Sequence, residues 1–292
     1  MKIKVLSSKE YFEQDKNYGD CILIDTGLNL IIYDCGSEEH AKRVEQYMHE
    51  HGYETVAVIL SHNDGDHFGG LEYLIKNNMV SSITTTLLLK HIDDILTMLD
   101  DGRRNRDSIK TEIKKTFDNV AKLSGQKLND ALDRNVNLDP CVNLVGPNYD
   151  YVINAVVKEL DSSESNNIDM ETIKNAISVQ VEIIIGNSKI LLTGDASFPA
   201  IEDKIREYDI IQLPHHGKYD QAEKIFEKNQ GRNNVKYLIS DNTGTSNGGS
   251  DELMENDIGH ILMNTKNEDI SIDLNAIKKE SKGCYGLWDT LY

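Results

Sequence analysis

No stretch of this chain approaches the roughly 20 consecutive apolar residues that a membrane-crossing helix requires. The N-terminus, Met1 to Leu6, has no basic segment leading into an apolar one, so no secretory signal is expected. Cysteine is sparse: Cys21, Cys35, Cys141 and Cys284 are scattered, with no Cys-x-x-Cys pair. That argues against a disulfide scaffold and for reduced core thiols, which makes the cytoplasm the expected compartment. Positive charge is short as well, with 31 Lys and Arg against 49 Asp and Glu and a formal net charge of -18. A surface this acidic repels a phosphate backbone at long range and disfavours broad nucleic-acid binding. A small or locally held phosphate substrate stays open, because bound divalent cations dominate the field inside a site. At 39% hydrophobic and 27% charged, the 292 residues suit one large globular domain or two small ones.

What is present is concentrated in one stretch. Val58-Ile59-Leu60-Ser61 runs into His62-Asn63-Asp64-Gly65-Asp66-His67, then Phe68-Gly69-Gly70. The β-branched run predicts a buried strand, and the Gly-bounded polar cluster predicts a loop. Within six residues that loop offers two imidazoles and two carboxylates, the groups that bind divalent metals. In an extended loop His62, Asp64 and Asp66 alternate to one side, while His67 starts the next element; this spacing suits two adjacent ions. The alternative is a solvated acidic turn.

Other segments supply a frame. Gly19–Ile24 and Leu30–Gly36 read as two strands of a hairpin around a Thr26–Asn29 turn. Glu38 to His51 has Ala41, Val44, Tyr47 and Met48 at helical spacing, with Gly52 as a stop. His40, His49 and His51 are expected to face solvent there, since no acidic cluster accompanies them. Strand Thr55–Leu60 delivers the metal loop, and a helix from Gly70 would turn its positive end toward it. Residues of about 90–170 form a mainly helical insertion, with helices over Ile92–Leu99 and Ser108–Val136, after a strand at Ile83–Leu89. Its basic Arg103-Arg104-Asn105-Arg106 reads as a solvated loop, or alternatively as a phosphate contact. Val142–Leu144 is a brief strand, Asp161–Asp169 a polar loop, and the insertion as a whole a candidate lid. His91 and His260 read as structural.

Beyond the insertion, Asn175-Ala176-Ile177-Ser178 precedes a hairpin of Val179–Ile185 and Lys189–Thr193, which ends in Gly194-Asp195. A helix over Ala200–Tyr208 and a strand over Asp209–Leu213 deliver Pro214-His215-His216-Gly217. Val235–Asp241 is another strand, Thr243–Asp251 a loop that borders the site, Ile261–Met263 and Ile270–Ile272 closing strands, and Cys284–Tyr292 a packed tail.

Ser-His-x-Asp-x-Asp-His-x-Gly-Gly after a hydrophobic strand resembles the metal-binding signature of the metallo-β-lactamase fold, with Asp64 where the second His of the commoner form falls. That variant, the Gly-Asp-x-Ile-Leu-Ile hairpin ending in Asp-x-Gly, the Leu-Leu-Thr-Gly-Asp run and the Pro-His-His-Gly run are similar to the hydrolase domain of ComEC-type DNA-uptake proteins and their soluble relatives. The resemblance implies an αββα sandwich of the α/β (α+β) class, one domain over 1–292. It further implies that His62 and Asp64 hold a first metal, that Asp66, His67 and His216 hold a second, and that Asp195 bridges them. Asp34 would support the metal loop from behind, or else be a plain strand-end carboxylate. The family's third His of the first site is missing, which leaves Asn175 or Ser178 there and the site short of imidazole. His215 would orient His216 or touch substrate, making Asp66, Asp195 and His215 the catalytic candidates. Two divalent ions, Zn or Mn, would then hydrolyse a phosphodiester in nucleotides or short nucleic acid, with no membrane involved. The alternatives are a lactone, thioester or β-lactam hydrolase, and a metal-stabilised sensing or interaction module without turnover.

Overall fold

The computed structural model describes residues 1–11, 16–99, 105–117, 125–133, 135–161, 167–240, 249, 253 and 259–273. Short β-branched runs build the N-terminal half: β1 (Lys2–Val5), β2 (Ile22–Asp25) and β3 (Leu30–Tyr33) form an antiparallel meander. Helix α1 (Glu38–His51) starts where Ser37 accepts from the His40 amide and stops at Gly52, which takes the left-handed conformation (φ 77°) at its C-cap. Strand β4 (Val56–Ile59) runs parallel to β3 and is followed by α2 (Gly65–Phe68), α3 (Leu71–Lys76) and β5 (Val80–Thr85). Then come α4 (Ile92–Leu99), α5 (Arg106–Phe117), β6 (Leu128–Asp130), β7 (Val142–Gly146) and α6 (Tyr149–Leu160). The second half adds β8 (Asn167–Ile168), β9 (Glu171–Thr172), α7 (Ile173–Ala176), β10 (Gln180–Ile185), β11 (Ser188–Leu192) and β12 (Ile210–Gln212). A kinked turn, α8 (Pro214–Gly217), leads to α9 (Tyr219–Lys228), β13 (Lys236–Ile239), β14 (Ile261–Asn264) and β15 (Ile270–Asp273).

The strands form two large sheets, β15-β1-β2-β3-β4-β5-β6 and β14-β13-β12-β11-β10-β7. Between them lies an apolar layer in which Ile3, Ile24, Ile31 and Ile59 of the first sheet meet Val181, Ile183, Ile190 and Leu192 of the second. The outer face of the first sheet packs Ile32, Val58 and Ile83 against Val44, Met48 and Leu74 of α1 and α3. That of the second packs Leu191, Ile211 and Ile239 against Ile205, Ala222 and Ile225. Helices therefore cover both outer faces of two mixed sheets, which is the αββα sandwich. Helices α4, α5 and α6 share a further cluster of Ile95, Ile109, Ile113, Val152 and Val156. Among the described residues no helix is long and apolar enough to cross a membrane.

Several expectations are corrected. Helix α5 does not run to residue 136: Leu128–Asp130 pairs parallel with Ile83–Thr85 as β6, because the sheet edge satisfies backbone groups that a helix would satisfy internally. Strand β5 stops at Thr85, and Leu88–His91 is a 3-10 turn. Residues 149–160, for which no element is expected, form α6, started by Asn148 accepting from the Asp150 amide. The expected helix at 200–208 is replaced by two 3-10 turns, Phe198–Ala200 and Ile205–Glu207; Lys204 between them donates to Val145 O (2.7 Å) and Gln180 Oε1 (2.9 Å), fixing the tighter winding. His40 is fully buried rather than solvent-facing. Arg106 pairs with Asp93 at the surface, whereas Arg103, Arg104, most of the Thr243–Asp251 loop and the Cys284–Tyr292 tail lie outside the described residues.

Candidate metal centre

The ends of four strands converge on one edge of the sandwich, the usual place for a site where parallel strands deliver their C-termini. Asp34 follows β3, His62 to His67 follow β4, Asp195 follows β11, and His215 and His216 follow β12. The loop after β4 is held close by its neighbours: Asp20 N donates to Asp66 O at 3.0 Å and Cys35 N to His67 O at 2.9 Å. After β12 the backbone turns left-handed at His215 (φ 53°, ψ 54°), His216 (φ 55°, ψ 28°) and Gly217 (φ 82°), which brings both imidazoles back toward the cluster.

Each imidazole is tied on Nδ1. For His67 the partner is Asp34 Oδ2 (2.8 Å), for His216 Asp20 Oδ1 (3.2 Å), and for His215 Glu171 Oε2 (2.9 Å). His62 Nδ1 faces the hydroxyls of Ser61 (3.0 Å) and Ser178 (3.3 Å). The Nε2 atoms face carboxylates. His67 Nε2 lies 3.3 Å from Asp195 Oδ1, and His216 Nε2 lies 3.3 Å from Asp66 Oδ2. His62 Nε2 lies 3.8 Å from both Asp195 Oδ2 and Asp64 Oδ2, and His215 Nε2 lies 3.7 Å from Asp195 Oδ2. The supports are themselves supported: Asp34 also accepts from Ser61 N and Oγ, and Asp20 from Gln212 Nε2 (2.7 Å), which bonds Ser240 Oγ in turn.

The electrostatics ask for a cation. Asp20, Asp34, Glu171 and Asp195 are all at most 3% exposed, a density of carboxylate that an interior holds only with compensating charge. Burial by itself would lower the His67 imidazole, but Asp195 and Asp34 outweigh it and hold it well above its ordinary value. Burial by itself would raise the Asp195 carboxyl, but His67, His62 and His216 outweigh it and hold it well below. A field that retains protons on nitrogen favours any cation placed there. Among the described residues, His62 Nε2, His67 Nε2 and Asp195 Oδ1 are buried with no hydrogen-bond partner, and the three residues bring ligand atoms within 4.8 Å of one another. A second group of that kind is Asp66, His67 and His216. Orphaned imidazole nitrogens beside a carboxylate oxygen are the donor set of a Zn-like ion, so the residues present fit a metal.

The sequence profile of the metallo-beta-lactamase superfamily matches residues 15–239. The chain belongs to this superfamily. Its members are usually metal-dependent hydrolases that bind divalent ions. The metallo-beta-lactamase fold protein YhfI from Bacillus subtilis is 13% identical, with a TM-score of 0.51 over 93% of this chain and 100% of its own. A variant of the CmlA β-hydroxylase is 11% identical, with a TM-score of 0.50 over 93% of this chain and 54% of its own. The short form of human tRNase Z is 11% identical, with a TM-score of 0.46 over 94% of this chain and 99% of its own. At 13% and 11% identity, the likeness to the first two is one of fold alone. No curated protein matches the sequence.

Against the metallo-beta-lactamase motifs, the structure gathers His62, Asp66, His67, Asp195 and His216 into the two compact groups. Asp64 stands at the rim, one-third exposed and paired through Oδ1 with Lys174 Nζ (3.3 Å). Asp34 is the buried partner of His67, not a plain turn carboxylate. Ser178 faces the outer nitrogen of His62, while Asn175 Nδ2 donates to Asp195 Oδ2 (3.4 Å) and Glu171 Oε2 (3.5 Å). His216 is oriented by Asp20, whereas the His215 ring lies 5.9 Å from it without a hydrogen bond between them. Asp20 and Glu171 were missed as site residues. Asp20 sits in the Gly-Asp-x-Ile-Leu-Ile run, which could have flagged it; Glu171, in the polar stretch before Asn175, carries no comparable signal. His91 bonds Asp130 and His260 stacks on Phe226, both away from the cluster.

Proposed function

We propose that this superfamily member is a binuclear metal-dependent phosphodiesterase acting on nucleotides or short nucleic acid. The observation that supports it most is the inward convergence of His62 Nε2, His67 Nε2 and Asp195 Oδ1, buried and, among the described residues, without hydrogen-bond partners, beside Asp66 and His216. In this reading His62 and Asp64 hold one ion, Asp66, His67 and His216 hold the other, and Asp195 is shared. A pair of Zn or Mn ions would supply Lewis acidity, polarising a phosphoryl oxygen and making water acidic enough to serve as nucleophile near neutral pH.

The chain's own groups do the positioning. Asp34 and Asp20 fix the ring orientation of His67 and His216, so that their Nε2 atoms face Asp195 and Asp66. Asn17 Nδ2 donates to Asp66 Oδ2 at 2.8 Å and limits the rotation of that carboxylate. Lys174 at the rim offers a cation to an anionic substrate. Phosphodiesters are favoured over carbon esters by the Asp64 variant of the motif, which resembles the ComEC-type hydrolases, and by a carboxylate-rich set suited to harder cations. The net charge of -18 argues for short substrates over long duplexes, whose binding needs many basic contacts. We assign the chain to one domain, with a mainly helical insertion over about 90–170 that includes α4, α5 and α6.

A panel of bis-p-nitrophenyl phosphate, dinucleotides, long duplex DNA, lactones, thioesters and β-lactams at fixed Mn²⁺ tests this, with Asp66→Ala as control. The expected result is fastest turnover of a short phosphodiester and its loss in the variant. Faster turnover of any carbon ester or β-lactam rejects the substrate class. Equal rates for both proteins reject metal-dependent catalysis and favour a module without turnover.

A further inference from the structure

The set His62, Asp64 and Asp195 gives the first ion one imidazole, and the sequence holds no third motif histidine to add another. The fold brings a different one to the same carboxylate. Asp195 divides its oxygens, with Oδ1 toward His67 Nε2 and Oδ2 toward both His62 Nε2 (3.8 Å) and His215 Nε2 (3.7 Å). Tetrahedral bonds of roughly 2.0–2.1 Å place neighbouring donor atoms about 3.4 Å apart. His215 therefore stands to Asp195 Oδ2 as His62 does, each a few tenths of an ångström beyond that spacing.

A second observation points the same way. A metal-ligating histidine characteristically gives its other nitrogen to a carboxylate or similar acceptor. His67, His216 and His215 all show this arrangement, with Asp34, Asp20 and Glu171 on Nδ1. Two histidines away from the cluster instead have both ring nitrogens occupied, leaving none for an ion: His40 on Gly19 O and Tyr11 Oη, and His91 on Asp130 and Tyr149. Glu171 is itself 1% exposed and held by Lys218 Nζ at 2.7 Å, so the His215 ring is braced from behind. The left-handed backbone at His215 is a conformation that residues other than glycine seldom adopt. Such strain persists where surrounding contacts over-determine it, and here it turns the ring inward.

We infer that His215 supplies the missing imidazole of the first metal position, completing a four-donor set of His62, Asp64, Asp195 and His215, with Glu171 as its positioning residue. This rests on the binuclear reading above. It replaces the expectation that His215 only orients His216 or touches substrate.

The test is Co²⁺ titration of chelator-stripped full-length protein, followed by visible absorption and competition with a chromophoric chelator. His215→Asn is the main variant, since Asn tolerates the left-handed conformation and keeps the turn intact. Glu171→Gln is the second. Wild type should take up two ions. His215→Asn should bind one of them with unchanged affinity and the other at least 10-fold more weakly, with a changed ligand-field spectrum, and Glu171→Gln should weaken the same ion by about 10–100-fold. Two ions with unchanged affinities and spectra in both variants would overturn the inference alone, whatever happens to turnover. No uptake by wild type would overturn the binuclear reading and this inference together.

Discussion

Aiming the imidazoles is the work of single carboxylates, and each can be tested separately. Asp34→Asn keeps the size of the group at His67 Nδ1 but removes its charge, and should lower metal affinity by about 10–100-fold, read by chelator competition. Asp195→Asn should impair uptake and turnover far more than Asn175→Ala, because a carboxylate shared by two cations balances charge that an amide cannot. Equal losses in the two folded variants would mean that Asn175 takes part directly in the first position. His40 offers a residue-scale test unconnected with metal. A carbonyl only accepts, so Nε2 carries the proton toward Gly19 O (2.9 Å) and Nδ1 accepts from the Tyr11 hydroxyl (2.6 Å). Burial, aided by Arg43, pushes this imidazole down from its ordinary 6.5 to about 3. The unfolded chain then takes up a proton near pH 6.5 while the folded chain refuses it until about pH 3, so this contribution to stability is lost as pH falls through that window. At pH 5 the loss is about 2 kcal/mol. Urea midpoints of His40→Gln should start lower at pH 7 and fall less steeply toward pH 4 than those of wild type.

At the scale of elements, the loop after β4 depends on backbone approaching backbone. Gly19 sits at φ 72°, and a Cβ there would lie 1.5 Å from Asp66 O; at Gly36 it would lie 2.1 Å from the same oxygen. Gly27 shares the positive φ (85°) but meets nothing within 4 Å. Gly27→Ala should therefore cost only the backbone term, about 1 kcal/mol, whereas Gly19→Ala adds a clash and should cost several times that while displacing Asp66. Thermal melts and Co²⁺ uptake of the two variants make the comparison. Elements were readable from sequence where local chemistry punctuates them, as Ser37 and Gly52 do for α1. They were not readable where two periods coincide. Ile201, Ile205 and Tyr208 suit a helix and a pair of 3-10 turns equally, and Lys204 reaching Val145 and Gln180 made the choice.

For the whole molecule, folding gathers more buried carboxylate than the nearby lysines neutralise, so bound cations should stabilise the fold as well as serve the chemistry. A cation at 100 times its Kd contributes about 2.7 kcal/mol. Chelation should accordingly lower the melting temperature by several degrees in a chain of this size, with recovery on adding Mn²⁺ or Zn²⁺. A melt unaffected by chelator and by added metal would show that the cluster is held by protons alone.

The sequence by itself determined the fold class and singled out the candidate donors, because both are written locally. Six consecutive residues carry His62 to His67 at a strand end, and a hairpin ends in Asp195. Only the tertiary structure decided which groups stand behind those donors. Asp20 reaches His216 across 196 positions, Glu171 reaches His215 across 44, and Asp34 reaches His67 across 33. Such pairings arise when two sheets close on each other and trap polar groups that must find partners without water. No local pattern encodes them, since a buried carboxylate and a surface one are the same letter until packing removes the solvent.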